Sequence, residues 1–207
     1  MHNLILASSS PRRRELLEQL SLRFDVVVAD IDETPLHEEP AQDYVARMSR
    51  SKARSVAESL TDLPISSERE AYVIAADTIG VLDERILIKP EDQADFTAMM
   101  EAMSGRMHQV ITSVCVAGWS RSNGWRYREK SVVTEVLFKT LSQYEIEAYW
   151  RTGEPLDKAG GYGIQSKGAL LVERLSGSYS NVVGLPLRET AELLQKLGCD
   201  VWKAMQT

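Results

Sequence analysis

Apolar residues fall into two alternating patterns along the first half of the chain. Residues 4–7, 24–28 and 72–76 are short apolar-rich runs of the kind that form buried strands, whereas 11–20, 41–60 and 91–103 carry apolar positions at helical spacing. A short hairpin is predicted around Asp83-Glu84-Arg85. Such alternation of strand and helix predicts an α/β fold with a largely parallel sheet. Beyond it the pattern changes: 108–119 and 125–139 are long β-rich runs divided by Ser120-Arg121-Ser122-Asn123-Gly124, a turn signal that predicts antiparallel strands. Helices at 142–151 and 187–197 flank the glycine-rich stretch Gly160-Gly161-Tyr162-Gly163. No repeat or linker interrupts the chain, and 61–70 reads as a mobile loop. The expectation is one domain over residues 1–207, with a mixed, twisted central sheet flanked by helices.

Composition narrows the classes of function. With 43% hydrophobic and 26% charged residues among 207, the chain can bury a sizeable core. A formal net charge of -6 argues against a broad basic surface for nucleic acid, where neutralising phosphates dominates binding. Cys115 and Cys199 are too few for a disulfide framework and lack metal-ligand spacing, which suits a reducing compartment. The opening apolar run Asn3-Leu4-Ile5-Leu6-Ala7 is too short for a signal peptide, and no stretch approaches the roughly 18 apolar residues of a membrane helix. A cytoplasmic protein without membrane or nucleic-acid partners is expected.

Several segments could carry chemistry. Ala7-Ser8-Ser9-Ser10-Pro11-Arg12-Arg13-Arg14 joins a strand to a helix, with serine as N-cap and Pro11 at the first helical position. Arginines in a first turn oppose the helix dipole, so they suit a site where an anion sits among them. A solvated basic turn is the alternative. In the helix at 41–60, Val45, Met48, Val56 and Leu60 form a core-facing stripe with Lys52 in its middle, while Arg47, Arg50 and Arg54 lie on the opposite, solvated face. A lysine so placed should meet a carboxylate or a phosphate, unless it snorkels out at the edge of the core. The strand at 72–76 ends in Asp77-Thr78, at the carboxyl edge of the sheet where α/β proteins bind ligands, so Asp77 could act as a general base, hold a metal ion or merely cap a turn. Asp30-Ile31-Asp32-Glu33-Thr34 follows an earlier strand in the same topological position, with turn formation competing for Asp30 and Asp32.

Weaker signals come from Lys89, before Pro90, and from Lys158-Ala159-Gly160-Gly161-Tyr162-Gly163-Ile164-Gln165-Ser166-Lys167-Gly168, whose glycine spacing fits neither a Walker loop nor a dinucleotide fingerprint. This loop lets backbone approach a ligand closely, and the Gln165 amide, donor and acceptor at once, could read a base edge. A flexible loop is the alternative. The scattered His2, His37 and His108 give little support to a zinc site or a Ser-His-Asp triad, and neither cysteine stands in an activating context.

Taken together, Leu6-Ala7-Ser8-Ser9-Ser10-Pro11-Arg12-Arg13, Asp32-Glu33-Thr34, Lys52-Ala53, Ala76-Asp77-Thr78, Lys89-Pro90, Ala159-Gly160-Gly161-Tyr162-Gly163-Ile164-Gln165 and Gly177-Ser178-Tyr179-Ser180-Asn181-Val182-Val183-Gly184-Leu185-Pro186 resemble the Maf family of nucleotide pyrophosphatases over nearly the whole chain. Asp77-Thr78 and Gln165 look like the branch that acts on dTTP and UTP. The resemblance implies a Maf/ITPase-like fold with a ligand cleft between two lobes, and a homodimer. It implies Asp77 as proton acceptor with Glu33, Lys52 and Lys89 in the catalytic cluster. Arg12, Thr78 and Gln165 would govern substrate choice, with Ser8 and Arg13 also binding the nucleotide. A Mg²⁺ or Mn²⁺ would be held at Glu33 and Asp77. One departure is Ile88, where the family usually has glycine before the Lys-Pro pair. A non-catalytic nucleotide sensor acting in cell-division control is the rival expectation; it would not need Asp77, Glu33 and a metal together.

Overall fold

The computed structural model describes residues 3–60 and 70–206, so nearly all of the loop expected at 61–70 lies outside the described residues. The strands are β1 (Asn3–Leu6), β2 (Asp25–Val26), β3 (Ala71–Leu82), β4 (Arg85–Leu87), β5 (Met107–Ser120), β6 (Gly124–Phe138) and β7 (Val172–Ser176). The helices are α1 (Pro11–Glu18), α2 (Ala41–Ser59), α3 (Gln93–Met103), α4 (Gln143–Trp150), α5 (Tyr179–Val183), α6 (Leu187–Lys196) and α7 (Val201–Ala204). Strand order is β2-β1-β3-β5-β6-β7, with β4 on β3. β1 runs parallel to β2 and β3, whereas β3 with β4 and β6 with β7 are antiparallel, so the fold is the mixed α/β arrangement expected. No described helix is long and apolar enough to cross a membrane.

The chain divides into two compact units, each assembled from separate segments: Met1–Asp77, Thr112–Ser131 and Gly184–Thr207 form the first, and Thr78–Ile111 with Val132–Val183 the second. In the first unit, strand alternation decides which face is which. Ile5 and Ala7, Val73 and Ala75, Cys115 and Ala117 pack with Ala53, Val56, Ala57 and Leu60 of α2 in one buried cluster. Tyr72 and Gly118 lie on the other face, where a Cβ on Gly118 would come within 3.1 Å of Leu197 and 3.2 Å of the Tyr72 ring. Burial pushes the Cys115 thiol up to about 12 and the Cys199 thiol up to about 11, so both are protonated and unreactive near neutral pH.

The second unit is built on aromatic contacts. Phe96 of α3 lies 6.1 Å from Tyr149 and 5.1 Å from Trp150 of α4, centroid to centroid. α4 opens with a reciprocal capping box between Ser142 and Glu145. His108, Phe138 and Tyr162 meet edge to face, with His108 Nε2 2.8 Å from the Tyr162 hydroxyl, and burial lowers the His108 pKa to about 4. Asn181 Nδ2 donates to the Val110 carbonyl at 3.0 Å and to Thr134 Oγ1 at 2.9 Å, tying α5 to the backbone of β5 and to β6. The β3–β4 turn places Asp83 (φ 48) and Glu84 (φ 66) in the left-handed region, as a two-residue hairpin demands.

Two of the expected strands differ in extent, and β7 was not expected at all. β2 is only two residues, because β1 offers it partners only at Ile5 and Leu6 before turning into α1. β3 does not stop before Asp77 but runs on to Leu82: β5 lies beside it, and β4 pairs with it at Gly80, Val81 and Leu82 after β1 has ended opposite Ile74.

Candidate active site

β1 feeds α1 toward β2 on one side, and the chain then crosses back through α2 to β3 on the other, so the end of β1 is a topological switch point. Ser8 and Arg13 stand there. The buried Ser8 hydroxyl accepts from the Ser10 N–H at 3.1 Å and from Arg13 Nη1 at 3.3 Å, while Arg13 Nε donates to the Gly184 carbonyl at 2.9 Å. Ser10 caps α1 without a side-chain hydrogen bond, Pro11 occupies the first turn, and no acid neutralises that turn. Of the three arginines, Arg14 turns outward to pair with Glu18 at 2.8 Å. Burial lowers the pKa of Arg13; Asp77 raises it, Arg12 lowers it and Glu33 raises it. A guanidinium stays protonated through such shifts, so this is a cation that feels both carboxylates.

The carboxylates meet at Lys52, whose ammonium is 2.7 Å from Asp77 Oδ1 and 2.8 Å from Glu33 Oε1. Alternation explains the meeting. Asp77 shares the face of β3 that Val73 and Ala75 turn toward α2, and Lys52 lies one helical turn before Val56 in the stripe that packs there. Side-chain exposure is 12% for both Lys52 and Asp77 but 57% for Glu33, so the pair is shielded and the third member is open to solvent. Asp77 thus lies within β3 and not at its end as expected, although it is beyond the last pairing of β3 with β1.

The loop bearing Glu33 is anchored by side chains that the sequence pattern did not single out. Tyr44 donates to the Glu33 carbonyl at 3.0 Å, and burial, then Asp77 and Glu33, raise its pKa. Arg47 grips Glu39 through Nε and Nη2, both at 2.6 Å, and donates to the Thr34 carbonyl at 3.1 Å. Arg47 is therefore an anchor, not the solvated charge its helical position suggested. Arg50 likewise pairs with Glu129, while Arg54 pairs along the helix with Glu58. Asp32 makes a turn, accepting from the Thr34 N–H at 2.9 Å.

The remaining predicted residues belong to the second unit. Thr78, next along β3, projects to the opposite face from Asp77 and lines a cavity of about 40 Å³ with Leu87, Gly160 and Tyr162. Lys89 is exposed. Ile88 is 58% exposed and has no positive φ, so its side chain meets no steric demand for glycine, and its carbonyl accepts from the Gly160 N–H at 3.0 Å. Gln165 is half-buried in the loop that follows the glycines.

Chemically, the first unit offers a shielded acid held by an ammonium, a second acid open to solvent, and a half-buried guanidinium at a helix start lacking acids. That set suits an anionic ligand with a proton to be moved. Among the described residues no three His, Cys, Asp or Glu side chains could hold a metal ion together. Mg²⁺ requires less: it commonly binds one or two carboxylates and completes its shell with substrate phosphates and water. Glu33 and Asp77, of which Lys52 engages one oxygen each, fit that mode.

A relative from Vibrio vulnificus (strain YJ016) named dTTP/UTP pyrophosphatase is 47% identical over 196 residues, covering 95% of this chain and 99% of its own. One from Myxococcus xanthus (strain DK1622) with the same name is 49% identical over 203 residues, covering 97% and 96%. Among solved structures, a HAM1 protein from Coxiella burnetii matches 95% of this chain and 100% of its own at 14% identity, with a TM-score of 0.46. The Maf-like protein family matches residues 3–197, nearly the whole chain, and with relatives this similar over their full length the chain belongs to that family.

Proposed function

We propose that the protein is a nucleoside triphosphate pyrophosphatase that hydrolyses dTTP and UTP to the monophosphate and pyrophosphate. The observation that carries this reading is Lys52 bridging Asp77 and Glu33, with the half-buried Arg13 feeling both carboxylates. The names of the relatives, at 47% and 49% identity over almost the whole chain, support the substrate class.

In the proposed step, the Asp77 carboxylate accepts a proton from the water whose oxygen attacks the α-phosphorus. The bond from that phosphorus to the bridging oxygen breaks, and pyrophosphate leaves with the electron pair. Arg12, Arg13, Lys52 and Lys89 neutralise the triphosphate and the leaving group, and charge so placed in advance stabilises the transition state without reorganisation. Glu33 and Asp77 would hold a Mg²⁺ or Mn²⁺, which when bound spreads charge over the phosphate oxygens. Ser8 contributes its hydroxyl to nucleotide binding, and Arg12, Thr78 and Gln165 select the base. On the family resemblance, the enzyme acts as a homodimer in the cytoplasm.

A panel of nucleoside triphosphates assayed for pyrophosphate, with and without EDTA, tests the proposal. Monophosphate and pyrophosphate should form in equal amounts from dTTP and UTP, faster than from purine nucleotides, and EDTA should stop the reaction. Release of orthophosphate with a diphosphate product, or tight binding with no release, would overturn it; the latter would favour a sensor.

A further inference from the structure

The loop carrying Gln165 is fastened to a single carboxylate, directly after that residue and through the Tyr149 hydroxyl before it. Glu154 Oε1 accepts from the Tyr149 hydroxyl at 2.8 Å and from the Gly168 N–H at 3.2 Å. Its Oε2 accepts from the Ser166 hydroxyl at 2.8 Å and from the Lys167 N–H at 3.2 Å. The Tyr149 hydroxyl, having donated to Glu154, accepts in turn from the Gly163 N–H at 3.1 Å. Residues 163 and 166–168 are thus held through one side chain, and Gln165 lies between them.

Local packing fits this purpose. A Cβ on Gly168 would stand 2.7 Å from both the Tyr149 hydroxyl and the Gly163 carbonyl oxygen, so only glycine lets the returning strap close on its anchor. A Cβ on Gly163 would stand 2.7 Å from Lys158 Cε, and Lys158 Nζ donates to the Glu154 carbonyl at 2.7 Å, binding the base of the loop to the residue that holds its arm. Burial alone would raise the Glu154 pKa, but hydrogen bonds from Ser166, Tyr149, Gly168 and Lys167 outweigh it and the pKa is lowered. Four donors on two oxygens fill the acceptor capacity of a carboxylate, and a neutral amide could not replace it without facing donor to donor.

We propose that Glu154 is a positioning residue for base selection: its carboxylate fixes the 163–168 segment so that the Gln165 amide meets the edge of a pyrimidine in one orientation. The inference rests on the reading of Gln165 as a base-selecting residue. A recognition group fixed before the ligand arrives loses less entropy on binding, so the clamp acts on affinity and discrimination and leaves the chemical step alone.

The test measures kcat and KM for UTP and GTP with Glu154→Gln, Ser166→Ala, Gln165→Ala and the Glu154→Gln/Gln165→Ala double variant. In Glu154→Gln the UTP-over-GTP ratio of kcat/KM should fall about tenfold, the effect of losing one or two charge-assisted hydrogen bonds, chiefly through KM for UTP. Ser166→Ala, at an exposed residue, should fold normally and lower the ratio by a smaller factor. The double variant should match Gln165→Ala alone, because residues acting through one another are not additive. Equal losses for both nucleotides, or additive effects on the ratio, would make Glu154 a scaffold residue and overturn the proposal. If Gln165→Ala lowers the ratio while Glu154→Gln and Ser166→Ala do not, the clamp alone fails. If Gln165→Ala leaves the ratio unchanged, the base-selecting reading of Gln165 fails, and the clamp's role with it.

Discussion

Replacing Lys52 with methionine keeps the stem packed in the α2 stripe but removes the ammonium from between Asp77 and Glu33. The loss falls on Asp77, whose side chain is 12% exposed, and much less on Glu33 at 57%. Breaking a buried pair by removing one partner costs roughly 3–5 kcal/mol, and the remaining exposure places this case at the lower end, about 3 kcal/mol. Arg13 already feels the Asp77 charge in the intact protein and stays in place in the variant, so it adds no new compensation for the lost ammonium. At about 2–4 °C per kcal/mol for a chain of this size, Tm should fall by about 6–12 °C. Because the penalty comes from an ionised carboxylate without its cation, Asp77→Asn in the Lys52→Met background should recover much of the loss. The same change in the wild type should lower Tm, since it leaves Lys52 with Glu33 alone. Thermal unfolding of the four proteins at one pH reads the coupling directly. A Lys52→Met variant within about 2 °C of wild type, or equal effects of Asp77→Asn in both backgrounds, would show that Lys52 does not stabilise Asp77.

Two further outcomes follow from the second unit. His108 has a folded pKa of about 4 against an ordinary 6.5, so the unfolded chain binds a proton that the folded one refuses, and stability should drop as pH falls from about 6.5 toward 4. The contribution approaches about 3 kcal/mol at the acid end, and His108→Gln should flatten that part of a denaturant-midpoint against pH curve; an unchanged slope would contradict it. Gly168→Ala should destabilise by about 1–3 kcal/mol through overpacking against Tyr149 and Gly163, seen as a lower Tm; a variant as stable as wild type would show that the loop yields easily.

Much of the first unit was legible because its signals are local. A charged residue inside an apolar helical stripe marks Lys52, and a serine-proline-arginine turn after a short apolar run marks the end of β1 and the start of α1. The identity of Asp77 was visible but its place within the strand was not, since the end of β3 depends on which neighbour pairs with it. Arg47 was misread for a similar reason: its partners Glu39 and Thr34 reach it only because the intervening loop folds back over α2. Glu154 gave no signal, being a single acid before a proline, and its role emerges only when Tyr149, Ser166 and Gly168 converge on it. The glycine loop was expected to let backbone approach a ligand, and the closeness observed is to the protein's own Phe96, Lys158 and Tyr149.

The proposed hydrolysis depends most on Asp77 as the proton acceptor. Pyrophosphate release from dTTP by Asp77→Asn, measured beside calorimetric nucleotide binding, addresses it directly. Loss of a general base should reduce turnover by about 10²–10⁴-fold while binding stays within a few-fold of wild type. Near-normal turnover in that variant would show that Asp77 is not the proton acceptor.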